Sequence, residues 1–122
     1  MEPDDKNDLR IRTFEYSRRI IRLFGSLPNT TIAQVVGKQC LRSGTSIGAN
    51  YREAYRSRSR AEFIAKIGDC LKEAEETQYW LELMIAEEIV SKNKLSSLVE
   101  ETDELVAIFV SSMNTAKSNT TS

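Results

Sequence analysis

From Asn29 to Ser122 the chain contains no proline, and in that length apolar side chains recur at three- and four-residue steps. That spacing places them on one stripe of an α-helix, whereas strands need period-two alternation and frequent turns. Only five glycines and two prolines punctuate the whole sequence. The segments between them are rich in Leu, Ala, Glu, Lys and Arg, the residues with the best intrinsic helix propensity. The chain therefore reads as all-α.

Four helices follow from the punctuation. The first is expected from about Asp8 to Ser26, with Leu9, Phe14, Ile20, Ile21, Phe24 and Leu27 as its buried stripe. Leu27-Pro28-Asn29-Thr30 ends it, because Pro28 has no N–H to continue a helix and biases Leu27 away from helical geometry. The second opens at Thr31, where a hydroxyl followed three residues later by Gln34 has the form of a capping box. It carries Val36, Cys40, Gly44, Ile47, Gly48, Tyr51 and Tyr55, and ends in Arg56-Ser57-Arg58. A second capping box, Ser59 to Glu62, starts the third helix, whose stripe is Phe63, Ile64, Ile67, Cys70, Leu71, Ala74, Leu81, Met84 and Ile85. Ser91-Lys92-Asn93 makes a turn, with Lys92 at the negative end of the helix dipole. The fourth helix carries Leu95, Leu98, Val99, Leu105, Val106, Phe109 and Met113. Such helices joined by short turns pack most simply as a single-domain, antiparallel up-down-up-down four-helix bundle. The expected limits are 8–114 for the bundle, with a disordered N-terminus over 1–7 and a disordered tail over 115–122. A three-helix core with a loose fourth helix and a helical repeat are the alternatives, and no internal repeat is visible.

Composition excludes much chemistry. There is no histidine, so the commonest general base and the commonest metal ligand are missing. Two cysteines, Cys40 and Cys70, fall at apolar helix positions and behave as small hydrophobes, too few for a zinc site. Gly44-Thr-Ser-Ile-Gly48 lacks the Lys-Ser/Thr ending of a phosphate loop. Glu73, Glu75 and Glu76 are better read as partners for Arg42 and Arg52 than as acid/base groups. No enzyme, metal, cofactor or small-molecule substrate is expected. An acidic start without an apolar run, and no stretch of about 20 apolar residues, point to a cytoplasmic protein with no membrane span.

The net charge of −1 hides an asymmetry. Residues 1–60 hold 12 Lys/Arg against 6 Asp/Glu, and residues 61–122 hold 5 against 12. In an antiparallel bundle some of this is internal pairing, and the rest is available to orient subunits or to face a polyanion. Arg12, Arg19, Arg22, Arg52, Arg56, Arg58 and Arg60, with Tyr55 interleaved, form the candidate nucleic-acid set, since arginine beside aromatic rings contacts phosphates and stacks on bases. Gly44 and Gly48, four residues apart, make a small-residue notch, which is either packing within the chain or a subunit contact. Tyr79, Trp80 and Leu83 lie outside the core stripe of the third helix and, with the notch, are the candidate oligomer interface.

The strings Leu41-Arg-Ser-Gly-Thr-Ser-Ile-Gly-Ala-Asn-Tyr-Arg-Glu-Ala54, Glu62-Phe-Ile-Ala-Lys66 and Leu71-Lys-Glu-Ala-Glu-Glu-Thr-Gln-Tyr-Trp-Leu81 carry a resemblance. They resemble the four-helix bundle family that includes proteins encoded in intervening sequences of bacterial 23S ribosomal RNA genes. They are also similar to accessory variability determinant proteins of diversity-generating retroelements. The resemblance spans about residues 9–112. It implies an up-down bundle, a ring-shaped homopentamer, no known enzymatic activity, and RNA- or ribosome-linked partners. The retroelement branch is strongly basic and assists a reverse transcriptase, whereas this chain is slightly acidic. The expectation is a non-enzymatic, ring-forming adaptor associated with RNA or a ribonucleoprotein. The alternatives are a protein-binding oligomeric scaffold and a retroelement accessory protein.

Overall fold

The computed structural model describes residues 8–119, which form helices α1 (Leu9–Ser26), α2 (Thr31–Tyr55), α3 (Arg60–Ala86) and α4 (Lys92–Asn119), with no strand among them. None is long and apolar enough to cross a membrane. Each start has a side-chain acceptor for an otherwise orphaned N–H. Asp8 accepts from the Arg10 N–H at 2.9 Å. Thr30, one residue before the expected cap, accepts from Ala33 at 3.2 Å. Gln34 instead donates to the Pro28 carbonyl at 3.1 Å. Half of the expected Ser59 box forms, with Ser59 accepting from Glu62 N–H at 3.1 Å. Glu62 reaches back to the Arg58 N–H at 3.3 Å. At α4, Ser91 accepts from the Lys94 N–H at 3.4 Å.

Two ends differ from the sequence expectation. α3 stops at Ala86, and Glu88 takes a left-handed φ of 56°. The Ile89 N–H then bonds back to Met84 O at 2.8 Å and the Glu88 N–H to Ile85 O at 3.1 Å, the bonding of a Schellman stop. The turn thus lies earlier than Ser91-Lys92-Asn93, and Lys92 opens α4. At the other end α4 continues to Asn119, past the boundary drawn at 114; Lys117 in its last turn suits the dipole. The expected disorder of 1–7 and 120–122 falls outside the described residues.

Contacts climb on one helix as they descend on its neighbour, the sense of antiparallel packing. Ile20 meets Gly44 and Thr13 meets Gly48 between α1 and α2. Ser43 meets Thr77, and Ile47 meets Cys70, between α2 and α3. Gly68 faces Met113, and Gln78 bonds Asp103, between α3 and α4. The core runs through Tyr16, Ile20, Ile47, Ile67, Leu81, Met84, Leu105 and Phe109. Two hydroxyl pairs sit inside it, Tyr16 with Thr102 at 2.6 Å and Ser43 with Thr77 at 2.8 Å. Thr102 spends its one hydrogen on Leu98 O, so Tyr16 is the donor to Thr102.

The buried stripe of α1 is corrected by the structure. Thr13, Tyr16 and Ile20 are its buried residues, while Phe14 and Ile21 are half exposed to solvent. A stripe through Leu9, Thr13, Tyr16, Ile20, Leu23 and Leu27 keeps a four-three repeat, and Phe14 and Ile21 lie one residue, about 100°, round from it. Polar atoms hid the true stripe: Thr13 donates to Leu9 O at 2.6 Å, which lets a threonine occupy a core position.

The close approach of α1 to α2 needs bare backbone on α2. A Cβ added at Gly44 would stand 2.8 Å from Ile20 Cγ1, inside contact distance, whereas one at Gly25 would meet nothing. Gly44→Ala should therefore lower the unfolding free energy by roughly 1–2 kcal/mol through overpacking, partly offset by helix propensity. Gly25→Ala should raise it by up to about 1 kcal/mol. Urea denaturation of the two variants checks both signs.

Candidate nucleic-acid interface

The basic half of the chain forms α1 and α2 and the acidic half forms α3 and α4, so the bundle has two seams where opposite charges meet. Along the α1–α4 seam, Arg12 clasps Glu101 through Nε and Nη2, both at 2.7 Å, and Nη2 also reaches Glu104 at 3.0 Å. These bonds, the Glu101 pair foremost, hold the Arg12 pKa well above its usual value. Along the α2–α3 seam Arg42 pairs with Glu73 at 3.3 Å and with Glu76. Glu76 also accepts from the Trp80 indole N–H at 2.9 Å. Lys66 and Glu53 pair in the reverse sense at 3.1 Å. Part of the charge asymmetry is thus spent inside the chain.

What the seams leave over is not evenly spread. Arg22, Arg52, Arg56 and Arg58 make no ion pair among the described residues. Arg52, Tyr55, Arg56, Arg58 and Arg60 are all exposed and gather at the corner between α2 and α3. Arg56 caps α2 and Arg60 begins α3, so the single helical row expected of Arg52, Arg56 and Arg60 is broken by the turn. Their side chains nonetheless share one end of the bundle. Arg19 and Arg22 lie at the opposite end, where Arg19 donates to Ser97 at 2.9 Å. Arg12 is committed to its carboxylates. Of the eight candidate residues, Arg58 and Arg60 line one groove and Arg52 another, while Tyr55 meets Arg10.

The corner also has members that sequence reasoning passes over. The Arg10 guanidinium lies 4.1 Å above the Tyr55 ring and Arg52 lies 5.4 Å from the Phe14 ring. These cation–π contacts hold aromatic faces and guanidinium planes side by side at the surface. Asp8 fixes Arg10 at 2.8 Å, and that bond holds the Asp8 carboxyl below its usual range. Beyond the turn, Ser57, Arg58, Ser59, Arg60 and Phe63 face Ser111, Ser112 and Thr115 of α4 across an open groove of about 660 Å³. Of that α4 wall, Thr115 lies past the boundary that the sequence reading draws at 114. Aligning α1 against α2 in antiparallel register would have put Arg10 beside Tyr55.

The candidate interface residues divide as well. Gly44 and Gly48 are buried by α1 of the same chain, so the notch is filled from within. Gly48 still lines a groove with Phe14, Ile21, Ala49 and Arg52. Tyr79 is 56 % exposed and meets Trp80 edge to face at 5.0 Å, while Trp80 and Leu83 are half-buried against the core.

The model of the family described as 23S rRNA-intervening sequence protein matches residues 5–111. The chain belongs to that family. A crystal structure of a protein of unknown function from the S23 ribosomal protein family of Bacteroides thetaiotaomicron VPI-5482 is similar over 85 % of this chain and 96 % of its own. The two are 42 % identical, with a TM-score of 0.80. No curated protein matches. The family and fold expected from residues 41–54, 62–66 and 71–81 are thus the ones found.

The thiols of this family member are inert groups of the core. Both are buried, and burial pushes Cys40 and Cys70 up to about 12. The folded chain keeps two protons that the unfolded chain releases at its ordinary thiol pKa, so stability falls as pH rises from about 9 towards 12. Ellman's reagent at pH 8 should label neither thiol until denaturant is added. Labelling of either in the native protein would contradict this burial.

Proposed function

We propose that the chain is a non-enzymatic, ring-forming bundle that acts as an adaptor on RNA or a ribonucleoprotein, held through the corner between α2 and α3. The observation that supports this reading most is the set of arginines the seams leave over, Arg52, Arg56 and Arg58, with Arg52 beside the exposed ring of Phe14 and Tyr55 exposed at the same end of α2. Guanidinium groups without internal carboxylates suit phosphates, and an exposed ring suits an unstacked base. The description of the matching family, which refers to 23S rRNA, agrees with it. Ring formation, in the homopentamer that the resemblance implies, has its support in exposed apolar side chains on two separate helix faces, Ile21 on α1 and Tyr79 on α3. A patch that meets a different patch on the next copy closes a ring when the rotation allows it.

The second reading is a scaffold that binds proteins alone, and those same exposed apolar residues favour it. Fluorescence anisotropy with a structured ribosomal RNA fragment separates the two. Arg52→Glu with Arg56→Glu should weaken binding by about tenfold or more and flatten its salt dependence, with the mass by light scattering unchanged. Unaltered RNA binding would exclude the corner as the RNA contact. Loss of the oligomer with RNA binding intact would assign these arginines to assembly.

A further inference from the structure

At the end of the bundle away from the α2–α3 corner, α1, the α3–α4 turn and α4 enclose a groove of about 390 Å³. Its walls carry Arg19, Arg22 and Lys94, and its apolar lining includes Leu23, Val90 and Leu98. No carboxylate lines it. None of the three cations makes an ion pair among the described residues, unlike Arg12 farther along the same seam, which is held by Glu101 and Glu104. The left-handed Glu88 turns the chain out of α3 so that Val90 forms part of this wall.

We propose that this groove is a docking site for an acidic, leucine-type peptide segment of a partner protein. The apolar lining offers aliphatic side chains and no ring, which suits an aliphatic side chain and gives a nucleobase nothing to stack on. The three cations answer carboxylates flanking that side chain, and charge complementarity of this kind fixes orientation and excludes basic partners. Along α1 the groove's Arg22 stands about 18 Å from Arg10 at the corner assigned to RNA, so the two are separate places on the bundle. An adaptor with RNA at one end and an acidic segment at the other would link them.

The probe is a fluorescein-labelled octapeptide of alternating glutamate and leucine, titrated against the full chain by anisotropy. Arg22→Glu with Lys94→Glu should weaken binding by about tenfold, the charge-neutral Arg22→Gln with Lys94→Gln by less, and both should keep the wild-type circular dichroism. Arg52→Glu with Arg56→Glu should bind the peptide as the wild type does, so failure of the RNA proposal and failure of this one are distinguishable. Equal binding of a lysine–leucine octapeptide would overturn the proposal, as would peptide affinity unaltered by Arg22→Glu with Lys94→Glu. Loss of labelled RNA rather than of peptide in that variant would make the groove a phosphate surface and overturn it too.

Discussion

Bare backbone on α2 lets α1 pack close, and that contact governs where the side chains of the basic half can point. Leu27 and Phe24 rest on Gly37, Ile20 on Gly44, and the Thr13 backbone on Gly48. Glycine inside a helix costs about 1 kcal/mol relative to alanine, and here close packing of a whole helix offsets it. The contact fixes the rotation of α1. With Thr13, Tyr16 and Ile20 turned inward, Phe14 and Ile21 must face out, Arg12 must meet α4, and Arg10 must reach Tyr55.

From that rotation the electrostatics follow. Arg12 and Arg42 each stand at a seam between the basic and the acidic half and are each claimed by two carboxylates. Such pairs align neighbouring helices more than they add stability, because desolvation offsets the attraction of the partly buried Arg12–Glu101 pair and solvent screens the exposed Arg42 pairs. The buried hydroxyl pairs, Tyr16 with Thr102 and Ser43 with Thr77, act in the same way near the middle of the bundle. A shift of either helix pair by one residue would strand them without partners. Internal pairing therefore decides which arginines remain for another molecule, and those lie towards the two ends of the bundle.

Fold class, helix number and the Ser59 cap are legible in the sequence because apolar period and cap chemistry are local. The stripe of α1 is not, since Thr13 and Tyr16 carry polar atoms and only tertiary contacts show them satisfied. The identity of the committed arginines is equally out of reach. Arg12 and Arg22 are alike in sequence, and only the antiparallel register places Glu101 and Glu104 against the first and leaves the second without an ion pair among the described residues. The notch at Gly44 and Gly48 reads in sequence as small-residue packing or a subunit contact, and the structure fills it with α1.

If the guanidinium groups and rings left over at the α2–α3 corner face nucleic acid, ultraviolet light should join those rings to it. The decisive experiment is crosslinking of the full chain to a uridine-containing ribosomal RNA fragment, with mass spectrometry of the adducts. Adducts should concentrate on Tyr55 and Phe14, both exposed and both beside an arginine. Adducts confined to Tyr79 on the acidic half, or none at all under binding conditions, would mean that the corner does not touch RNA.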